Sequence, residues 1–162
     1  MVRIKLQKMR LFCFSALLIF FTLTTQAQGQ TPVTNYNKAL ADSLGADEYG
    51  MKWYVMVMLK TGTKQIKSRD SLQWLYKGHV DAINEMTSSG ILIVTGPMGK
   101  NDKNFRSFYI LNTSKTDEAQ KLMSENPAVK FGLFDAEYFF WYGPAALPTY
   151  KRFQPMVEAK KP

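Results

Sequence analysis

The chain has 162 residues but a single cysteine and a single histidine. Three or four thiol or imidazole ligands cannot be assembled from these. That excludes a zinc finger, a disulfide scaffold and a His-rich metal site. A Ser-His-Asp triad survives the count only if it uses the sole histidine, His79. Acidic side chains are in the minority, 13 against 21 basic ones, for a formal net charge of +8. The excess is scattered, with no basic stripe interleaved with aromatics, so nucleic acid is not an expected partner. Aromatic residues, in contrast, are plentiful at 14% of the chain, within a hydrophobic fraction of 46%. A sizeable core follows, wholesale disorder is excluded, and the length fits one domain with tails.

The N-terminus accounts for much of the charge. Arg3, Lys5, Lys8 and Arg10 stand without an acid before the apolar run Leu11 to Leu23, and Thr25-Gln26-Ala27 follows with small residues at both cleavage positions. This is the order of a secretory signal peptide, residues 1–27. The run of about 13 residues is short of the roughly 20 that span a bilayer, which weighs against the alternative of an uncleaved anchor. The expected mature protein is therefore exported, periplasmic or secreted, and free of the membrane. Its net charge is about +4, and it has no cysteine, since Cys13 leaves with the signal. Packing rather than disulfides must stabilise it.

Residues 28–50 read as a polar lead-in with a short helix near 37–44, ended by Gly45. Lys52 to Lys60 reads as a strand apolar on both parities: Trp53, Val55, Val57 and Leu59 on one, Tyr54, Met56 and Met58 on the other. Residues 69–89 read as the main helix, capped by Ser68 and stopped by Gly90. Its stripe is Leu72, Leu75, His79, Ile83 and Met86. Strands follow at 91–95 and 105–111, separated by a Gly96-Pro97-Met98-Gly99 loop. A second helix begins near Asp117 and stops at Asn126-Pro127, and a last aromatic strand spans 131–142. The Pro-rich tail, 143–162, is expected to leave the sheet and wrap over the surface.

The order β-α-β-β-α-β predicts an α+β fold, the ferredoxin-like sandwich with helices on one face of an antiparallel sheet. The first strand is apolar on both faces, so the other face also needs a cover, and a second copy of the sheet is the economical one. A homodimer is the expectation.

Among the residues, His79 points into the apolar stripe. It is either a pocket acid or base, or a half-buried histidine satisfied by backbone. Arg106 is either a bidentate anchor for an anionic group or a surface charge beside Asp102. Gly96, Pro97 and Met98 either line a pocket mouth or form a plain loop.

Taken in order, several pieces resemble the YCII-related domain family of dimeric α/β barrels, over about residues 52–142. They are Gly78-His79-Val80, Gly90, Gly96-Pro97, Pro127-Ala128-Val129 with Gly132, and the aromatic end at Trp141. The resemblance implies a pocket with a shared histidine and aspartate. It also implies relatives that carry out elimination or isomerisation of aromatic breakdown products. The histidine is His79. The aspartate position holds Asn126, which orients an imidazole but cannot stabilise imidazolium by charge. Tyr76 stands where the family often has arginine. Two functions therefore fit. One is an enzyme, without metal or organic cofactor, using His79 as acid or base on a small molecule. The other is a non-catalytic dimeric module that binds a small ligand or partner in the cell envelope.

Overall fold

The computed structural model describes residues 35–160. The expected signal peptide and the start of the lead-in lie outside the described residues. From Asn37 onward the chain forms one unit. It contains α1 (Lys38–Leu44), β1 (Met51–Thr61), α2 (Arg69–Ser88), β2 (Leu92–Pro97), β3 (Phe105–Leu111), α3 (Thr116–Glu125), α4 (Pro127–Lys130) and β4 (Phe134–Pro144). A 3-10 helix (Leu147–Arg152) and the single turn α5 (Gln154–Val157) follow.

The four strands form one sheet in the order β2-β3-β1-β4, every pair antiparallel. This is the expected ferredoxin-like α+β topology. The first two helices begin at side-chain caps. The Asn37 side chain accepts from the Leu40 N–H at 3.0 Å and Ser68 accepts from the Ser71 N–H at 3.3 Å. Gly45 and Gly90 close α1 and α2 at φ of 68° and 77°, where a Cβ would be strained.

Three boundaries differ from expectation. β2 does not stop at residue 95: Gly96 and Pro97 pair with Phe108 and Ser107. β2 is an edge strand, so the missing proline N–H faces no neighbour and costs no ladder bond. After α3, Pro127 does not simply stop the helix. It opens α4 at the first helical position, where a missing N–H is tolerated, with Asn126 as cap. β4 begins only at Phe134, after a turn through Gly132 at φ 72°, and runs on through Gly143 and Pro144. Pro144 is again at the end of an edge strand.

The double-sided character of β1 is real. Val55, Val57 and Leu59 pack beneath the helices with Tyr109, Leu111, Met86, Met123 and Phe134. Each fully buried aliphatic side chain of this kind contributes roughly 1.5–3 kcal/mol, so this layer carries most of the stability. On the opposite face Tyr54 clusters with Ile93 and Ile110, flanked by Met56, Phe108, Trp141 and Leu147. The tail supplies part of that cover. Leu147 packs on the cluster, the Tyr150 hydroxyl donates to the Ile93 carbonyl at 2.8 Å, and the Lys151 ammonium donates to the Leu92 carbonyl at 2.6 Å. Phe139, on the same face, stays 44% exposed.

Candidate functional site

Where α2 meets α4, Gly78 packs directly against the ring of Pro127. A Cβ on Gly78 would lie 2.8 Å from Pro127 Cγ. The absence of a side chain there allows the next residue, His79, to reach the loop that begins α4. His79 is only 8% exposed. Its Nδ1 lies 3.1 Å from Asn126 Oδ1, and its Nε2 lies 3.1 Å from the Tyr109 hydroxyl.

The proton positions follow from the partners. Asn126 Oδ1 also receives the Ala128 N–H at 3.1 Å, so this oxygen is the accepting end of the amide. His79 Nδ1–H must then donate to it. The ring is neutral, its Nε2 carries the lone pair, and the Tyr109 O–H donates to that lone pair. Burial pushes the His79 pKa below its usual value, and the hydrogen bond to Asn126 opposes the shift only in part. Burial pushes the Tyr109 phenol up, against a smaller downward pull from Ser107 and Thr95. Both rings are therefore uncharged at neutral pH, joined in a Tyr109–His79–Asn126 chain.

The chain ends at the floor of a cavity of about 580 Å³. Tyr76, His79 and Ile83 of α2 form one wall, Thr95, Gly96 and Pro97 of β2 another, and Leu133 and Phe134 a third. Phe134 meets His79 and Tyr76 edge-on, with ring centroids 5.3 Å and 6.1 Å away. Arg106, Ser107 and Thr61 close the mouth. Arg106 Nε donates to Thr61 Oγ1 at 2.7 Å.

The structure thus brings together His79, Arg106, Gly96 and Pro97 around one cavity. Met98 is not part of the lining: its N–H continues the strand pairing by donating to the Arg106 carbonyl at 2.8 Å. Pleat alternation turns its side chain away from Thr95 and Pro97. Asn126 lies behind His79, 1% exposed, and faces a second cavity of about 200 Å³ that also contains Glu85 and Glu125. Its Nδ2 has no hydrogen-bond partner among the described residues. Neither Asp135 nor Glu137 substitutes for the family aspartate. Both alternate with Phe134, Ala136 and Tyr138 onto the far face of the sheet, where Lys60 pairs with Glu137. Sequence reasoning gave Tyr109 no role. A tyrosine among aliphatic core positions was the available signal, because its hydroxyl must find a partner when buried.

Two expected results arise from this geometry. Gly78→Ala gains about 1 kcal/mol of helix propensity, but overpacking typically costs about 1–3 kcal/mol. The obstruction is a proline ring that cannot rotate away. A net loss of about 1 kcal/mol is expected by denaturant unfolding, together with a shifted His79 ring signal, and Pro127→Ala should restore both.

The second result concerns pH. The unfolded histidine titrates near pH 6.5, whereas the folded one resists protonation. Below about 6.5 the unfolded state binds a proton that the folded state refuses. Stability should therefore fall as the pH drops through about 6.5, levelling only below the folded pKa. In His79→Gln that segment of the curve should flatten.

An antiparallel sheet in the order β2-β3-β1-β4, roofed on one face by helices that carry a buried imidazole beside a cavity, defines a ferredoxin-like α+β domain. The chain belongs to the YCII-related domain family, whose family model matches residues 52–141. Comparison with curated proteins finds no match. Among solved structures the chain is similar to 5-chloro-2-hydroxyhydroquinone dehydrochlorinase from Burkholderia phenoliruptrix AC1100, in complex with 2,5-dihydroxybenzoquinone. The identity is 20% and the TM-score 0.37, covering 54% of this chain and 90% of that one. No helix among the described residues is long and apolar enough to cross a membrane.

Proposed function

We propose that this protein binds a small molecule in the His79 cavity and moves a proton reversibly to and from it. The observation that carries the proposal is the Tyr109–His79–Asn126 hydrogen-bond chain, of which the fully buried Tyr109 and the nearly buried His79 both line the cavity. A ligand proton taken up by Tyr109 Oη is matched by transfer of the tyrosine's own proton to His79 Nε2. The imidazolium so formed keeps its Nδ1–H on Asn126 Oδ1. No carboxylate faces it, and burial disfavours its charge, so it returns the proton quickly. Such a relay suits isomerisation or exchange, in which the ligand recovers a proton within one residence, and not steps that leave one on the protein.

The test starts from a thermal-shift screen, since binding to the folded state raises the melting temperature. A bound ligand that exchanges an activated C–H with D₂O faster than it does free in solution supports the relay. A second reading, non-catalytic ligand binding, is favoured by the neutral amide of Asn126. Tight binding with no accelerated exchange would establish that reading instead.

In the same proposal the protein is exported and dimeric. N-terminal sequencing from the native host should find the chain beginning near Gln28, and intact Met1 on a cytosolic protein would remove the export claim. The half-buried Met56, Met58 and Phe108 beside Phe139 leave room for a second copy on the far face of the sheet. Sedimentation showing a monomer at micromolar concentration would assign that face to the tail alone.

A further inference from the structure

We infer that the cavity takes a small planar organic monoanion, whose carboxylate or phenolate oxygens sit on the Arg106 guanidinium. This rests on the small-molecule reading above.

The first support is a β-bulge. The β1–β3 register pairs Leu59 with Ser107 and then Lys60 with Phe105, so Arg106 has no residue opposite it on β1. Regular alternation would place Arg106 with Phe108 and Ile110 on the far face of the sheet. A bulge re-aims a side chain, and here Arg106 lines the cavity beside Ser107 and Thr61.

The second support is what the guanidinium does there. Its Nε is committed to Thr61 Oγ1 at 2.7 Å, which fixes the plane of the fork. Its terminal nitrogens make no hydrogen bond or ion pair among the described residues; the acids that do pair there are Asp42, Glu137, Asp81 and Glu118, each with a lysine. A fork fixed at one nitrogen and open at the others matches two oxygens of one delocalised anion.

The third support is the composition of the lining. It contains one cation and no carboxylate, and His79 is neutral. One fork balances one negative charge, which favours a monoanion over a phosphate dianion. The remaining walls, Tyr76, Phe134, Pro97, Ile83 and Leu133, are apolar or aromatic and suit the body of a flat molecule. A ligand anchored at the mouth would lie with its far side toward the Tyr109 hydroxyl.

The experiment is calorimetric titration of the protein with benzoate, salicylate and 4-nitrophenolate above their pKa values. Benzamide and benzyl alcohol serve as neutral isosteres. At least one of the anions should bind about tenfold or more tightly than the isosteres, the range expected of a charge-assisted bidentate contact. Arg106→Gln should abolish that preference without changing isostere binding, and Arg106→Lys should keep only part of it. Arg106 is exposed, so the variants should fold as wild type, which a melting curve checks. Equal binding of anions and isosteres, or anion binding unchanged in Arg106→Gln, overturns the assignment. The proton-relay reading fails differently: an anion that binds through Arg106 yet leaves the His79 ring signals unmoved would remove the relay and keep the anion site.

Discussion

Replacing Tyr109 with phenylalanine should slow proton exchange on a bound ligand by about 10²–10⁴-fold, the usual contribution of a positioned acid–base group. The substitution removes one oxygen from a ring packed among Val55, Val57, Leu111 and Met123. It leaves the His79 Nε2 lone pair without its donor, while His79 Nδ1–H keeps Asn126 Oδ1. The stability loss should be about 1–3 kcal/mol, the cost of a buried acceptor left without its partner. His79→Asn is the companion: a comparable loss of exchange, with roughly 1–2 kcal/mol of stability. Measured exchange rates and denaturant curves separate the two possibilities. If Tyr109→Phe exchanges its ligand's proton as wild type does, Tyr109 is a packing residue and the relay does not end at its hydroxyl.

The second large effect is expected of Asn126→Asp. The amide now caps α4 through Oδ1 while its Nδ2 lies buried without a partner among the described residues, a defect worth roughly 1–3 kcal/mol. Aspartate caps equally well and removes the stranded donor. It also places a negative charge 3.1 Å from Nδ1, which favours the imidazolium. The folded-state pKa of His79 should then rise above its unfolded value near 6.5, each unit of separation being about 1.4 kcal/mol.

The pH slope should reverse as a result. In the wild type, stability falls as pH drops through about 6.5. In the variant the added stability is fully present below about 6.5 and is lost as pH rises through the new folded pKa, where an unpaired buried carboxylate is left behind. NMR titration reads this directly, because the only imidazole in the chain is this one. An unchanged titration in Asn126→Asp would contradict the contact from which the relay is built.

Much of this architecture was legible in the residues. The two-sided strand at 52–60 announced a sheet covered on both faces, and Ser68 and Gly90 bracketed α2. Its stripe brought His79 inward. What was hidden depends on more than one strand at a time. Proline reads as a breaker when Pro97 and Pro144 are seen along the chain, yet both lie on edge strands where no neighbour needs their N–H. The direction of Arg106 depends on a bulge, which exists only as a mismatch between β1 and β3. Tyr109 meets His79 because sheet register and helix crossing coincide, and Gly78 permits that crossing. Asn126 was found through its family position, since the spacing of 47 residues from His79 carries no local signal.

The tail also bears on how the protein behaves among its own copies. β2 is one of the two open edges of the sheet, and an unpaired row of carbonyls there is a template on which another chain can add a strand. The carbonyls of Leu92 and Ile93 are already taken by Lys151 and Tyr150, and the extra residue Ile93 breaks the flatness that strand addition requires. The last turns of the chain thus guard this edge against fibrous self-association. Chains shortened before Leu147 would present it uncovered and should aggregate sooner on warming.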